Sequence, residues 1–180
     1  MPEHNLADTI ALLSRTPAVL NALLRDMPGV WTLANEGEAT WSAFDVVGHL
    51  SHGERTDWMP RTALILESGD TRPFEPFDRL AQGEASAGKS MNELLDEFEE
   101  LRSGNLRALH ALRLTPQDLA RRGQHPALGS VTLSQLLATW AAHDLSHLHQ
   151  LSRVMAHQYR ELTGPWPRYL GVMQCRGHSE

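Results

Sequence analysis

The sequence predicts an all-α four-helix bundle, and three observations carry that prediction. Apolar residues recur at the three- and four-residue spacing of a buried helical face in four separate stretches; three of these open on a capping box; and almost no segment alternates polar with apolar residues as a half-buried strand does. The 180 residues are 41% apolar and 21% charged, which suits one domain over residues 1–180. A fold of this size buries roughly 70% of the surface its unfolded chain exposes. Neither a disulfide nor a structural metal is then needed for stability, so a metal site would need a functional reason.

From Asn5 to Met27 the apolar positions Leu6, Ile10, Leu13, Val19, Leu20, Leu23 and Leu24 mark a first helix, with a kink expected at Pro17. Ser42-Ala-Phe-Asp45 is a capping box that starts a second helix, carrying Val46, Val47, Leu50, Trp58 and Leu64 toward Glu67, with a bend expected at Pro60 and a stop at Ser68-Gly69. Gly69 to Lys89 contains Pro73, Pro76, Gly83 and Gly88 and few periodic apolar positions, and reads as a long crossover connection. Ser90-Met-Asn-Glu93 opens a third helix through Leu94, Leu95, Phe98, Leu101, Leu106, Leu109 and Leu112. Thr115-Pro-Gln-Asp118 is a short helical start, and a brief turn or hairpin follows up to Ser130. Thr132-Leu-Ser-Gln135 opens the fourth helix, with Leu136, Leu137, Trp140, Leu145, Leu148, Leu151 and Val154 in place. Gly164-Pro-Trp-Pro167 ends it, and the tail, residues 164–180, is expected to pack back through Trp166, Tyr169, Leu170 and Met173.

Charge narrows the functions. Sixteen Lys and Arg against 22 Asp and Glu leave a net charge of −6, a field that repels polyanions, so no nucleic-acid partner is expected. No run approaches the length of a membrane span, and the N-terminus has no basic segment followed by an apolar stretch, so no membrane partner and a cytoplasmic location are expected. The one cysteine, Cys175, cannot form an internal disulfide and is a poor candidate for a buried catalytic thiol. There is no G-x-S-x-G elbow, G-x-G-x-x-G loop, Walker string or cysteine pair.

The informative string is His143-Asp-Leu-Ser-His147. Histidines four apart share a helical face and can grip one metal ion as a half-site. Leu136, Trp140 and Val154 lie along the same stripe, which turns the pair inward. Two core histidines, each satisfied by a backbone or carboxylate contact, would give the same string. His49, mid-helix between Val46 and Leu50, can approach the core from the second helix, so three histidines from two helices could converge. Three imidazoles with an open position are a catalytic arrangement for zinc, and they suit nickel, copper or iron as well. His52, one turn on, is a reserve ligand, though beside Gly53 and Glu54 it reads more simply as a surface residue. Asp144, next to the first histidine of the pair, is the foremost candidate for orienting a ligand or acting as a base, ahead of Glu54 and Asp57. Trp140 reads as core, and Gln150 as pocket lining.

Trp41-Ser-Ala-Phe-Asp-Val-Val-Gly-His49-Leu50 and Ala142-His143-Asp-Leu-Ser-His147-Leu-His-Gln150 resemble the DinB-like superfamily of metal-binding four-helix bundles, with its YfiT-like members, and the likeness covers nearly the whole chain. The resemblance implies an up-down-down-up bundle, in agreement with the long connection between the second and third helices. It implies one divalent metal ion, often zinc or nickel, on His49, His143 and His147, and commonly a homodimer. It implies an enzyme acting on a small-molecule substrate, either a metal-dependent hydrolase or a transferase that binds a low-molecular-weight thiol at the open position. That route needs no protein cysteine and leaves Cys175 a bystander.

Two other readings stay open at this point. His143-Asp144-Leu-Ser-His147 mimics the H-E-x-x-H string of metalloproteases, with Asp one methylene short of the Glu base and no further histidine at the metzincin spacing. A non-catalytic bundle that retains a metal or binds a protein is the alternative from a different class. A fourth protein ligand such as His52 would favour it, and an open position would favour an enzyme. Specificity would rest on the helix ends and on the connection from Gly69 to Lys89. The roles of His149 and Cys175 are not legible.

Overall fold

A computed structural model describes residues 4–78 and 81–175. The ends of the expected domain, 1–3 and 176–180, and Arg79 and Leu80 of the long connection lie outside the described residues.

The first helical stretch is two helices, α1 (Leu6–Leu13) and α2 (Thr16–Leu24), so the expected kink is a full break. Pro17 sits in the first turn of α2, where its missing N–H costs nothing, and it leaves the Leu13 carbonyl without its i+4 donor. Arg102 Nη1 donates to that carbonyl at 2.9 Å. A one-turn helix α3 (Gly29–Thr32) follows. The second stretch also divides, into α4 (Ala43–Thr56) and α5 (Trp58–Ser68), at Asp57 rather than at Pro60. The cause lies one turn upstream of the proline. Pro60 has no N–H for the Thr56 carbonyl and its ring crowds that oxygen, so the helix parts where the lost bond would close.

The capping boxes at Ser42/Asp45, Ser90/Glu93 and Thr132/Gln135 all form, opening α4, α7 (Met91–Ala111) and α9 (Leu133–His157). The long connection is not structureless. It holds α6 (Ala81–Ser86), which packs on α4, and a strand-like contact in which Phe74 N–H donates to the Gln124 carbonyl at 2.8 Å and the Phe74 ring is buried. Thr115 caps α8 (Pro116–Ala120), and the expected hairpin forms as antiparallel β1 (Arg122–His125) and β2 (Gly129–Thr132). Gly123 is required there, because a Cβ would stand 2.7 Å from Ile65 Cγ1 and 2.8 Å from the Phe74 ring. A 3₁₀ turn (Trp166–Tyr169) and α10 (Gly171–Gln174) complete the described chain. Trp166 and Tyr169 are exposed, as is Leu170 more marginally, against the expectation that they anchor the tail; α10 contacts α9, and Met173 is half-buried. Val19, Leu112 and Leu145 are likewise exposed rather than core.

Cross-helix bonds give the relative directions. Asn21 of α2 reaches Glu99, Arg25 reaches Asp96, and Asp26 beyond the helix end reaches Asn92, so α2 and α7 run oppositely. Glu54 of α4 meets Arg102, while Ala43 and Met91, at the starts of their helices, share one core cluster. The second and third long elements therefore run the same way, which is what a long connection between them serves. The interior has two apolar centres. One gathers Leu20, Leu24, Val46, Val47, Leu50, Leu94, Leu95, Phe98 and Leu151. The other gathers Leu13, Trp58, Ile65, Phe74, Leu109, Leu133, Leu137 and Trp140. Between these centres lie Glu54 of α4, Arg102 of α7 and His143, Asp144 and His147 of α9, while His49 lies on α4 among Val46, Val47 and Leu50 of the first centre.

Candidate metal centre

His49 arrives from α4, and His143 and His147 from successive turns of α9. Their Nε2 atoms converge, with His49 to His143 at 3.1 Å and His147 to His143 at 3.0 Å. Each residue offers one ligand atom, and these atoms all lie within 4.8 Å of one another. No fourth His, Cys, Asp or Glu joins the group among the described residues. An ion with bonds of about 2.0 to 2.1 Å separates tetrahedral ligand nitrogens by about 3.3 Å and ligands at right angles by about 2.9 Å. The spacings of His143 Nε2 from the other two fall between these.

The outer nitrogens explain why the inner ones face each other. His49 Nδ1 lies 2.9 Å from Gln82 Oε1, and His147 Nδ1 lies 2.7 Å from Gln150 Oε1. An amide oxygen only accepts, so each Nδ1 carries the proton and each Nε2 presents a lone pair. His143 Nε2 faces both lone pairs with at most one proton to give. A cation at the meeting point satisfies all three nitrogens, and the chemistry of the donor set thus fits a metal. Burial, followed by the charges of His147, His49 and Arg102, pushes His143 down to about 2, and burial also lowers His147 against the opposing pull of Gln150 and Asp144. Neutral imidazole is the ligand form.

Gln150, expected only as lining, thus orients a histidine. Gln82 went unpredicted because it lies in α6, within the connection that showed no periodic pattern. Its approach is eased by Gly48, where a Cβ would stand 2.5 Å from Ser86 Oγ, so any other residue there would force the Ser86 hydroxyl to turn away or α6 to shift. Aromatic rings enclose the histidines. Trp41 lies 4.8 Å from the His49 ring, Phe77 lies 5.3 Å from it, and Trp58 meets His143 edge-on at 5.1 Å while stacking on Trp140 at 5.7 Å. His52 is buried against Phe77 and outside the histidine group, which corrects both its readings, reserve ligand and surface residue.

The carboxylates are placed differently from the order expected. Asp144, 2% exposed, gives its oxygens to Arg102, with Nη1 to Oδ2 at 2.6 Å and Nη2 to Oδ1 at 2.9 Å, and accepts from Thr16 Oγ1 at 2.5 Å. Glu54 accepts from Arg102 Nη2 at 2.8 Å, Trp140 Nε1 at 2.9 Å and Asn105 Nδ2 at 2.9 Å. Both are occupied by this ionic network. Asp57 is the one of the three that lines the cavity beside the histidines. Burial raises its carboxyl above the ordinary range, against the charge and hydrogen bond of Arg61. Arg102 itself is 1% exposed and went unpredicted, although its position four residues after Phe98 lies on the apolar stripe of α7. Its guanidinium is held up in pKa by Asp144 and Glu54 although burial, the largest single influence, opposes them.

The cavity has a volume of about 610 Å³ and is walled by the three histidines, the rings of Trp41 just before α4, Trp58 of α5 and Phe77 of the long connection, and the outer stripe of α9. That volume suits a small-molecule ligand. Arg153, His149 and Cys175 also line it, so the cysteine stands on the wall of the site and not apart from it.

A four-helix bundle with three histidines converging from its second and last long elements defines a class of bundle with a candidate metal centre. The chain belongs to the DinB superfamily, whose family model matches residues 12–151. YfiT from Bacillus subtilis, described as a probable metal-dependent hydrolase with an unusual four-helix bundle topology, is 25% identical; the alignment covers 85% of this chain and 89% of that one, with a TM-score of 0.68. TT2238, described as a four-helix bundle protein, is 23% identical over 82% of this chain and 98% of its own, with a TM-score of 0.53, and shows the fold alone. No curated protein matches. No helix among the described residues is long and apolar enough to cross a membrane.

Proposed function

We propose that this chain is a metal-dependent enzyme acting on a small molecule, with one divalent ion held by Nε2 of His49, His143 and His147. The carrying observation is the meeting of three imidazole nitrogens at the wall of a cavity, with a glutamine oxygen behind two of the rings, the arrangement that supports a lone pair on each of those Nε2 atoms. Zinc or nickel, both suited to imidazole, would lower the pKa of a water or hold a thiolate sulfur at an open position. The chain's own residues supply the rest. Gln82 and Gln150 fix the ring orientations, the aromatic wall excludes water, and Asp57 is the carboxyl group placed to take or return a proton. Asp144 is a positioning residue, anchoring α9 through Arg102 directly beside His143.

Hydrolysis is the first reading, supported by the likeness to a probable metal-dependent hydrolase. Transfer of a low-molecular-weight thiol is the second, supported by a cavity with room for a thiol and an electrophile together. We extend the proposal to one domain over residues 1–180 and to a cytoplasmic homodimer, on the family resemblance and the single cysteine. The first test is metal content by elemental mass spectrometry on untagged protein. Near-stoichiometric metal is expected in the wild type, with loss in each of His49→Ala, His143→Ala and His147→Ala. No uptake after reconstitution, or full occupancy in the variants, would overturn the site and leave a non-catalytic interaction bundle as the better account.

A further inference from the structure

Arg153 is 8% exposed, lines the same cavity as the histidines, and takes no part in the metal site described above. Glu36, from the segment before Trp41, grips one side of its guanidinium: Nε lies 2.9 and 2.8 Å from the two carboxylate oxygens and Nη2 lies 2.7 Å from Oε2. Nη1 has no partner among the described residues. Glu36 is not part of the cavity wall, so the carboxylate holds the guanidinium from behind. The segment that carries Glu36 is itself held in place. Its amide donates to Thr40 Oγ1 at 3.0 Å, and Gln158 of the residues following α9 reaches the Asn35 carbonyl at 3.4 Å. An arginine fixed in this way has lost its side-chain freedom before any ligand arrives, which is how anion sites gain affinity.

Its place along α9 matters too. His143, His147 and Gln150 form one row of the helix. Ala142, Ser146, His149 and Arg153 form the adjacent row, also on the cavity wall. Arg153 lies about 9 Å along the axis beyond His147, at 1.5 Å per residue, and the small side chains Ala142 and Ser146 leave the floor of that row low. The other Asp, Glu, Lys or Arg side chain on the wall, Asp57, is paired with Arg61 Nε at 2.6 Å. The cavity therefore presents a metal site at one end and an unshared guanidinium edge at the other.

We propose that the substrate carries a carboxylate or similarly anionic group on a chain beyond its reacting atom, and that Arg153, held by Glu36, receives that group while the reacting atom lies at the histidines. The inference rests on the metal reading and deepens it by naming the substrate class.

The test uses full-length protein loaded with cobalt(II) and two thiols that differ only in the far end, 6-mercaptohexanoate and 6-mercaptohexanol. Thiolate-to-cobalt absorbance reports binding for both. In the wild type the acid binds at least about tenfold more tightly than the alcohol, the value of a charge-assisted hydrogen bond. In Arg153→Met the preference falls to within about threefold while cobalt uptake and alcohol affinity stay unchanged, and Arg153→Lys restores part of it. Glu36→Gln keeps the preference for the acid, because the receiving group is the arginine. A residue that merely tethers the Glu36 segment would not move the ratio of acid to alcohol. Equal affinities in the wild type, or a preference that survives Arg153→Met, would overturn the proposal while leaving the metal site standing. Failure of the protein to take up cobalt would overturn both.

Discussion

Two buried polar groups sit side by side in this bundle, drawn from α4 and α9 in both cases, and they are solved in opposite ways. Glu54, Arg102 and Asp144 close on one another. Every carboxylate oxygen is engaged, and the network reaches Thr16, Asn105, Trp140 and the Leu13 carbonyl. His49, His143 and His147 instead bring nitrogens together that cannot all satisfy each other, and they open on a cavity. A buried network whose carboxylates are all engaged, with only Arg102 Nε unpartnered, holds helices in register; a buried cluster whose nitrogens cannot satisfy one another has the chemistry of a cation site. Adjacent residues of α9, His143 and Asp144, belong to opposite solutions, so the network that holds the helix also sets where the histidines point.

The largest expected effect breaks the comparison from the closed side. Arg102→Met strands two carboxylates in the interior, and removing one member of a buried charge network typically costs about 3 to 5 kcal/mol. Urea unfolding of the metal-free protein measures it. Destabilisation below about 1 kcal/mol would mean that the network is not what holds these helices. His143→Ala, by contrast, removes a nitrogen with unmet needs and should cost the metal-free protein much less than Arg102→Met.

Metal sharpens the contrast from the open side. Ion at 100 times its dissociation constant should stabilise the folded wild type by about 2.7 kcal/mol, and should leave the melting temperature of His49→Ala and His147→Ala unmoved. Calorimetry with and without added zinc or nickel reads this directly. Equal shifts in wild type and variants would place the binding elsewhere. A smaller effect is expected one layer out. Gln82→Ala and Gln150→Ala should weaken metal affinity by about 10- to 100-fold, the usual consequence of losing an outer hydrogen bond to a histidine ligand. Their folds should be retained, as circular dichroism would check, and unchanged affinity in competition with a chelator would show that the glutamines do not orient the rings.

The open cluster was more legible in the sequence than the closed one. A pair of histidines four apart on an amphipathic helix is a local pattern, and His49 lay within a helix whose start the Ser42 capping box marked. Arg102 sat on the apolar stripe of α7 in plain view, but its role depends on Glu54 and Asp144 meeting it from two other helices, and no local spacing encodes that. The partners of Asp144 were hidden for the same reason: adjacency to His143 says nothing about the Arg102 and Thr16 groups that engage its oxygens. Gln82 depended on the packing of α6 against α4, and α6 lies in a segment whose Gly and Pro content masked a short helix. The breaks near Pro17 and Pro60 were signalled by composition, yet the second falls at Asp57 because the lost hydrogen bond, not the ring, decides where the helix parts.

Acidification separates the two clusters most finely. The guanidinium of Arg102 does not titrate in the accessible range, whereas His143 protonates only near pH 2 in the fold, through burial first and the charges around it second. In the unfolded chain a histidine takes its proton near 6.5. Between those values the unfolded state binds more protons, so the metal-free protein keeps its full stability above pH 6.5 and loses it as the pH falls, by up to about 1.4 kcal/mol per unit for this one group. His147, also lowered by burial, adds in the same direction. Urea midpoints measured from pH 7.5 to 4.5 should fall less steeply in His143→Asn than in the wild type, while Arg102→Met, though less stable throughout, should retain the wild-type contribution of His143 to the slope. An unchanged slope in His143→Asn would mean that this imidazole is not buried neutral in the fold, and the argument that it waits as a lone-pair donor would go with it.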